Sequence, residues 1–174
     1  MDQDQKIWLQ YRIAAPDAYH ILMVSGYCEH RKLPDDQFPE GMMLSSNENG
    51  FGFSLLIAAN TKLSKPVQII KLFDDESDTT LQTRNRVIME AGSSADLMIC
   101  NDTLSGKLHS CHEIMDIALG EGATLNMVRF QNVNDATTLS CEISVNQAAS
   151  SRMKTHFVSL RGDRISNRLI VKLS

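Results

Sequence analysis

Several things are missing from this 174-residue chain, and each absence removes a class of protein. No apolar run approaches the roughly 20 residues of a membrane-spanning helix, so no membrane partner is expected. No signal peptide opens the chain, and the four cysteines (Cys28, Cys100, Cys111 and Cys141) form no C-x-x-C pair. That usage fits a reducing, cytoplasmic compartment. A basic excess is also lacking: the net charge of −4 argues against wholesale nucleic-acid binding, which needs cations to neutralise phosphates. Phosphate-binding loop, nucleophile elbow and zinc-protease helix are all absent. From residue 67 onward no helix-length amphipathic segment appears, so the connections there must be turns. With 43% hydrophobic and 22% charged residues the composition is that of a globular chain of one domain or slightly more.

What is present is a doublet. Residues 86–100 are echoed by residues 114–128, each a hydrophobic run, a turn of the form Gly-x-x-Ala-x-Leu, and a second hydrophobic run. Gly92, Ala95 and Leu97 recur as Gly120, Ala123 and Leu125, a displacement of 28 residues. Such a period marks stacked-repeat architecture. The alternation assigns Val87, Met89, Ala91, Ala95, Leu97 and Ile99 to one face, with Met115, Ile117, Leu119, Ala123, Leu125 and Met127 stacked on them. Arg86, Glu90, Asp96, Asp116, Thr124 and Asn126 fall on the other face. The reading is an all-β parallel β-helix in which glycine supplies turn conformations that a Cβ would oppose.

Along the chain, residues 1–6 are polar and residues 7–13 are too short to classify. Residues 19–28 read as a strand entering a glycine turn, and prolines at 34 and 39 exclude a continuous helix beyond it. Asn47-Glu48-Asn49-Gly50 is a linker, and Ala58 and Ala59 tilt residues 51–60 towards a short helix over a buried strand. A boundary near Asn60 then separates a partly irregular amino-terminal segment, 1–60, from a solenoid, 61–174. Further strands are expected at 67–73, 138–147, 155–160 and 168–173, giving about four coils of roughly 20–28 residues. The chain stops inside an alternating strand, so the last coil is expected to be covered by another chain or continued in a longer one.

Candidate ligands are sparse. Cys28 and His30, and His109 and Cys111, stand two apart, a spacing that puts both on one strand face; zinc or iron favours such ligands, but two do not close a site. Cys100 falls on the outward parity and is the candidate accessible thiol, whereas Cys141 shares parity with Leu139, Ile143 and Val145 as a buried small hydrophobe. The acidic stretch 74–78 lacks the glycine and terminal glutamate of a calcium loop. Met42, Met43, Met89, Met98, Met115 and Met127 read as gap-filling core. Between 151 and 174, Arg152, Lys154, Arg161, Arg164, Arg168 and Lys172 face one acid, Asp163, as solvated outward positions or as a basic contact surface.

The series Arg84-Asn85-Arg86-Val87-Ile88-Met89, Gly92-x-x-Ala95-x-Leu97, Ile117-x-Leu119-Gly120-x-Gly122-Ala123-x-Leu125, Val145-x-Gln147 and Ser159-Leu160-x-Gly162 resembles the SufD branch of the SufB/SufD family of iron–sulfur cluster assembly proteins. Leu33-Pro34, Pro39-Glu40-Gly41 and Lys65-Pro66-Val67-Gln68-Ile69 are similar to its amino-terminal half. The resemblance implies a right-handed parallel β-helix in a non-enzymatic scaffold. It further implies pairing with SufB through the β-helices, or with a second copy, and binding of the ATPase SufC through a carboxy-terminal helical region. An iron–sulfur cluster belongs to the complex on this reading, and no catalytic, cofactor or metal residue is assigned to this chain. Where the family shows a double glycine and an Arg-Asn pair, this chain has Arg161-Gly162 and Ser166-Asn167-Arg168. The family's Cys/His segment near the SufB contact and its SufC-binding region fall beyond Ser174, so the chain resembles a truncated member. The competing reading is a β-helical carbohydrate-active enzyme, a lyase or hydrolase, which would need acids and bases converging on an outer groove.

Overall fold

The computed structural model describes residues 17–24, 27–29, 38–46, 52–74, 80–104 and 106–174. Expectations for residues 1–13, His30, Leu33-Pro34, the 47–50 linker and the acidic turn at 75–78 lie outside them. Among the described residues every regular element is a strand: β1 Tyr19–Val24, β2 Tyr27–Glu29, β3 Met42–Ser46, β4 Phe53–Ile57, β5 Val67–Phe73, β6 Thr80–Met89, β7 Ser94–Thr103, β8 Ser110–Leu119, β9 Thr124–Asn132, β10 Thr138–Gln147, β11 Arg152–Arg161 and β12 Arg164–Leu173. Residues 53–57 are therefore strand β4, not the helix that the Ala58-Ala59 pair suggests. The alanines fall after the strand, and Phe53, Leu55 and Ile57 alternate inward with exposures of 0–1%. Burial against the core outweighs the weak helical propensity of two alanines.

The strands form a parallel solenoid of about four turns with two six-stranded sheets, ordered β11-β9-β7-β5-β1-β2 and β12-β10-β8-β6-β4-β3. The chain passes from one sheet to the other at every connection from β5 onward. At the amino-terminal end, β2 pairs antiparallel with β1 and β3 antiparallel with β4. At the other end β11 and β12 are the outermost strands, and β12 is exposed along almost its whole length.

The core between the sheets holds Val87, Met89, Leu97, Ile99, Met115, Ile117, Leu125 and Met127 among others. Eleven of the twelve positions assigned inward from alternation are buried. Ala91 is the exception; it lies exposed in the turn that follows β6. The displacement, however, is not 28 in the doublet. Ala95 stacks on Leu125 and Val87 on Ile117, so this coil takes 30 residues. Later coils shorten: Ser110 stacks on Thr138, a 28-residue step, and Thr138 on Arg164, a 26-residue step. Both 28 and 30 are even, so the face assignment survives the error in displacement.

The reason for the error lies in the turns. Four of them stack, at residues 58–61, 90–93, 120–123 and 148–151, each closed by a backbone bond from its fourth residue to its first: Thr61 to Ala58, Ser93 to Glu90, Ala123 to Gly120 and Ser151 to Ala148. The third residue is left-handed every time: Asn60 (φ 60°), Gly92 (68°), Gly122 (67°) and Ser150 (59°). Neighbouring turns also bond to one another, Asn60 N–H to Ala91 C=O, Gly92 to Glu121 and Gly122 to Ala149, at 2.8–3.0 Å. Gly92 is thus equivalent to Gly122. Gly120 serves a different purpose, because a Cβ there would stand 2.7 Å from the backbone nitrogen of Ala91 and 2.9 Å from the carbonyl carbon of Glu90 in the preceding coil.

We predict that the two glycines respond differently to substitution. Gly122→Ala costs about 1–2 kcal/mol through left-handed strain, and Gly122→Asn recovers most of it because asparagine tolerates that conformation. Gly120→Ala and Gly120→Asn both cost about 1–3 kcal/mol, since backbone in the adjacent coil cannot yield. Urea denaturation of the four variants separates these outcomes; recovery by asparagine at both sites would refute the assignment.

Candidate functional site

The inward face is not uniformly apolar. In the first sheet the inward side chains change from hydrophobic to polar towards the carboxyl ends of the strands: Ile69 is followed by Lys71, Ile99 by Asn101, and Met127 by Arg129 and Gln131. In the second sheet the polar positions come first, Thr83 and Asn85 before Val87, and Glu113 before Met115. Because each chain segment leaves one sheet and enters the other, these two ends lie on the same side of the solenoid. Stacking aligns them into ladders, Met23–Lys71–Asn101–Gln131–Ser159 in one sheet and Thr83–Glu113–Cys141–Asn167 in the other. The main core closes one flank of this polar seam. A smaller cluster of Phe73, Leu81, Cys111, Val133 and Leu139 closes the other.

Glu113, on β8, is the centre of the seam and is fully buried. Its Oε1 accepts from the Lys71 ammonium and, at 2.7 Å, from Asn85 Nδ2. Its Oε2 accepts from the Arg129 guanidinium at 2.5 Å. Both cations come from the opposite sheet and are themselves buried, Lys71 at 5% exposure and Arg129 at 0%. The same Arg129 nitrogen reaches Asn101 Oδ1 at 3.4 Å, and the Lys71 ammonium sits 5.6 Å from the centre of the Phe53 ring. Towards the last coil the seam continues as a reciprocal amide pair between Gln131 and Asn167, at 2.9 and 3.0 Å, with the Ser159 hydroxyl donating to Gln131 Oε1 at 2.9 Å. Ser159 and Asn167, on the outermost strands β11 and β12, are exposed.

Electrostatics follow from this enclosure. Desolvation raises the Glu113 carboxyl, but Arg129 and then Lys71 outweigh it and hold the group at about 2, from 4.5. Desolvation, reinforced by the Glu113 charge, pushes the Cys111 thiol up to about 12 and the Cys141 thiol to about 11. Both are protonated at neutral pH and are not activated nucleophiles.

The cysteine and histidine candidates are distributed differently from their sequence spacing. His109, just before β8, is buried and stacks obliquely against Phe73, with ring centroids 6.0 Å apart, while Cys111 lies in the smaller apolar cluster. Cys28 is in β2, and its partner His30 lies outside the described residues. Cys141 is 1% exposed. Cys100 is not an accessible thiol: it is 7% exposed, accepts from Gln68 Nε2 at 3.7 Å, and has its pKa raised by burial. Outward parity misleads there because the outer face of the first sheet is itself buried at Leu22, Ile70 and Leu72. Among the described residues no group of three His, Cys, Asp or Glu side chains is placed to hold a metal ion. The six basic side chains of the last two strands are all exposed, Arg161 pairing with Asp135 at 2.9 Å.

The seam could have been found from sequence alone. Lys71 shares parity with Val67, Ile69 and Phe73, Glu113 with Cys111, Met115 and Ile117, and Arg129 with Leu125 and Met127. A charged residue in the inward phase of an otherwise apolar strand is the signal, and it stands two positions beyond the doublet's apolar sets.

We predict that Glu113→Gln destabilises the fold by about 3–5 kcal/mol at pH 7, because two buried cations lose their shared anion. The folded-state pKa of Glu113 lies below its unfolded value, so its stabilisation is complete above about pH 4.5 and is lost as pH falls towards about 2. That loss amounts to about 3 kcal/mol. Urea unfolding between pH 5 and 2 should show a correspondingly shallower acid limb in the Gln variant than in the wild type; equal limbs would exclude the ionic role.

Among comparisons with known proteins, no curated protein matches the chain. A family profile does, over residues 72–174, more than half of the chain: the one described as SUF system FeS cluster assembly, SufBD core domain. The matched interval runs from the end of β5 to the end of β12 and includes Glu113 and Arg129. The stacked coils and the family profile agree, and the chain belongs to the SufBD core-domain family of the iron–sulfur cluster assembly system.

Proposed function

We propose that this chain is a SufD-like, non-catalytic scaffold of an iron–sulfur cluster assembly complex. In this reading it pairs through its final coil with a SufB-like protein and works with a SufC-type ATPase, residues 61–174 supplying the pairing part of the solenoid and 1–60 its amino-terminal end. The observation that carries the reading is the match of the stacked strands β6 to β12 to the SufBD core domain. Strands β11 and β12 are both outermost in their sheets, and Leu160, Leu169, Val171 and Leu173 are 40–82% exposed there. Unpaired strand edges beside apolar side chains are a template for pairing with another sheet.

Charge favours a different chain over a second copy as the partner. Arg152 and Lys154 on β11, and Arg164, Arg168 and Lys172 on β12, are exposed on the two edge strands, so self-pairing would bring like charges together. Three buried free cysteines accord with a reducing cytoplasm. A carbohydrate-active enzyme is less well supported. The open groove of about 890 Å3 at the amino-terminal end is lined by Met42, Met43, Leu44, Leu56 and Ile88 with two serines, and among the described residues it offers neither acid nor base.

We predict that the chain co-purifies with SufB-like and SufC-like proteins when the three are expressed together. The double variant Val171→Asp, Leu173→Asp should reduce recovery at least tenfold while leaving the melting temperature of the isolated chain within a few degrees. A folded chain that recovers neither protein would sink the proposal. Recovery unaffected by the double variant would move the contact away from the last coil.

A further inference from the structure

Among the described residues the buried ionic cluster does not balance. Lys71 and Arg129 carry two positive charges and Glu113 one negative charge, all enclosed between the sheets. Neither neighbouring thiol supplies the missing anion, because burial keeps Cys111 and Cys141 protonated at neutral pH. An uncompensated charge in so dry a setting costs several kcal/mol. Beside the cluster lies a recess of about 10 Å3, enough for one particle of about the size of a water molecule. Its polar lining is Lys71, Thr83, Asn101 and Cys111, closed by Met23, Phe73 and Leu81.

Two of those side chains, both at least nine-tenths buried, present polar atoms that no described residue satisfies: Asn101 Nδ2 and the Thr83 hydroxyl. Across the recess the inventory is biased to donors. The Lys71 ammonium has N–H groups beyond the one given to Glu113, the Asn101 amide has two, and the Thr83 hydroxyl and Cys111 thiol have one each. A water molecule could satisfy some of them, but it would bring no charge. A monatomic anion accepts from all of them and neutralises the cluster.

We propose that the recess bounded by Lys71, Thr83, Asn101 and Cys111 is a binding site for a single halide-sized anion, with chloride the form available in ordinary solution. The anion completes a two-cation, two-anion cluster whose other anion is Glu113. It is linked to folding, since the site exists only when the coils carrying β5, β6, β7 and β8 are stacked, and any ligand of the folded state alone stabilises it by mass action.

The test uses the full chain and chloride as the probe. Diffraction data collected on either side of the chlorine absorption edge should show an anomalous peak in the recess that appears only above the edge. A water-like peak without that change would overturn the assignment. In solution, the melting temperature should rise saturably as chloride replaces a bulky organic anion at constant ionic strength. Thr83→Val, which keeps the shape and removes one donor, should require about tenfold more chloride for the same rise. Identical chloride dependence in wild type and variant, or none in the wild type, would refute the site.

Discussion

One carboxylate shared between two cations of the facing sheet is the constraint on which the interior turns. Apolar ladders alone specify the alignment of two sheets weakly, because sliding one past the other by two residues again sets hydrocarbon against hydrocarbon. Glu113 removes that freedom. A two-residue slip would replace it with Cys111 or Met115 opposite Lys71 and Arg129, leaving both cations buried without an anion. The cluster need not add net stability over a hydrocarbon core to have this effect. Its contribution is the large penalty it places on every misaligned arrangement.

The same seam relates the interior to the end of the solenoid. Asn101, Gln131 and Ser159 continue the Lys71 ladder, while Cys141 and Asn167 continue that of Glu113. Buried polar groups are stable only when each is satisfied, and the Gln131–Asn167 amide pair achieves this in the final coil with one member already exposed. A chain docking on β11 and β12 would therefore meet a mixed surface. Apolar residues, represented by Leu169 and Val171, flank a polar strip at Ser159 and Asn167, so a partner needs matched hydrogen-bonding groups as well as hydrocarbon.

How much of this could be read in advance depends on which physical signal a residue carries. Alternation is local and strong, so strands β5 and β10 coincide with the expected 67–73 and 138–147, and eleven of twelve inward assignments hold. Stacking register is not local, and matching glycines by type paired Gly92 with Gly120 although Gly122 performs its conformational function. Outward parity was equated with exposure at Cys100, which fails where a sheet is covered on both faces. Lys71, Glu113 and Arg129 keep perfect inward phase but break the apolar composition. Attention to composition hides them; attention to phase reveals them.

The taper of the coil shows which side of the solenoid tolerates change. The turns at 58–61, 90–93, 120–123 and 148–151 keep four residues and bond to one another, so an insertion there would break a continuous hydrogen-bonded spine. From β7 onward shortening occurs at the opposite side, where the link between sheets falls from residues 104–109 to 133–137 and then to 162–163. The last link is possible because Gly162, at φ 146°, passes where a Cβ would stand 2.9–3.0 Å from side-chain atoms of Ile165 and Val133. From β7 onward the variable links border the polar seam, whereas the constant four-residue turns border the hydrocarbon core. Changes in link length can therefore alter how the seam is covered, coil by coil, without disturbing the stacking that aligns Glu113 with its cations.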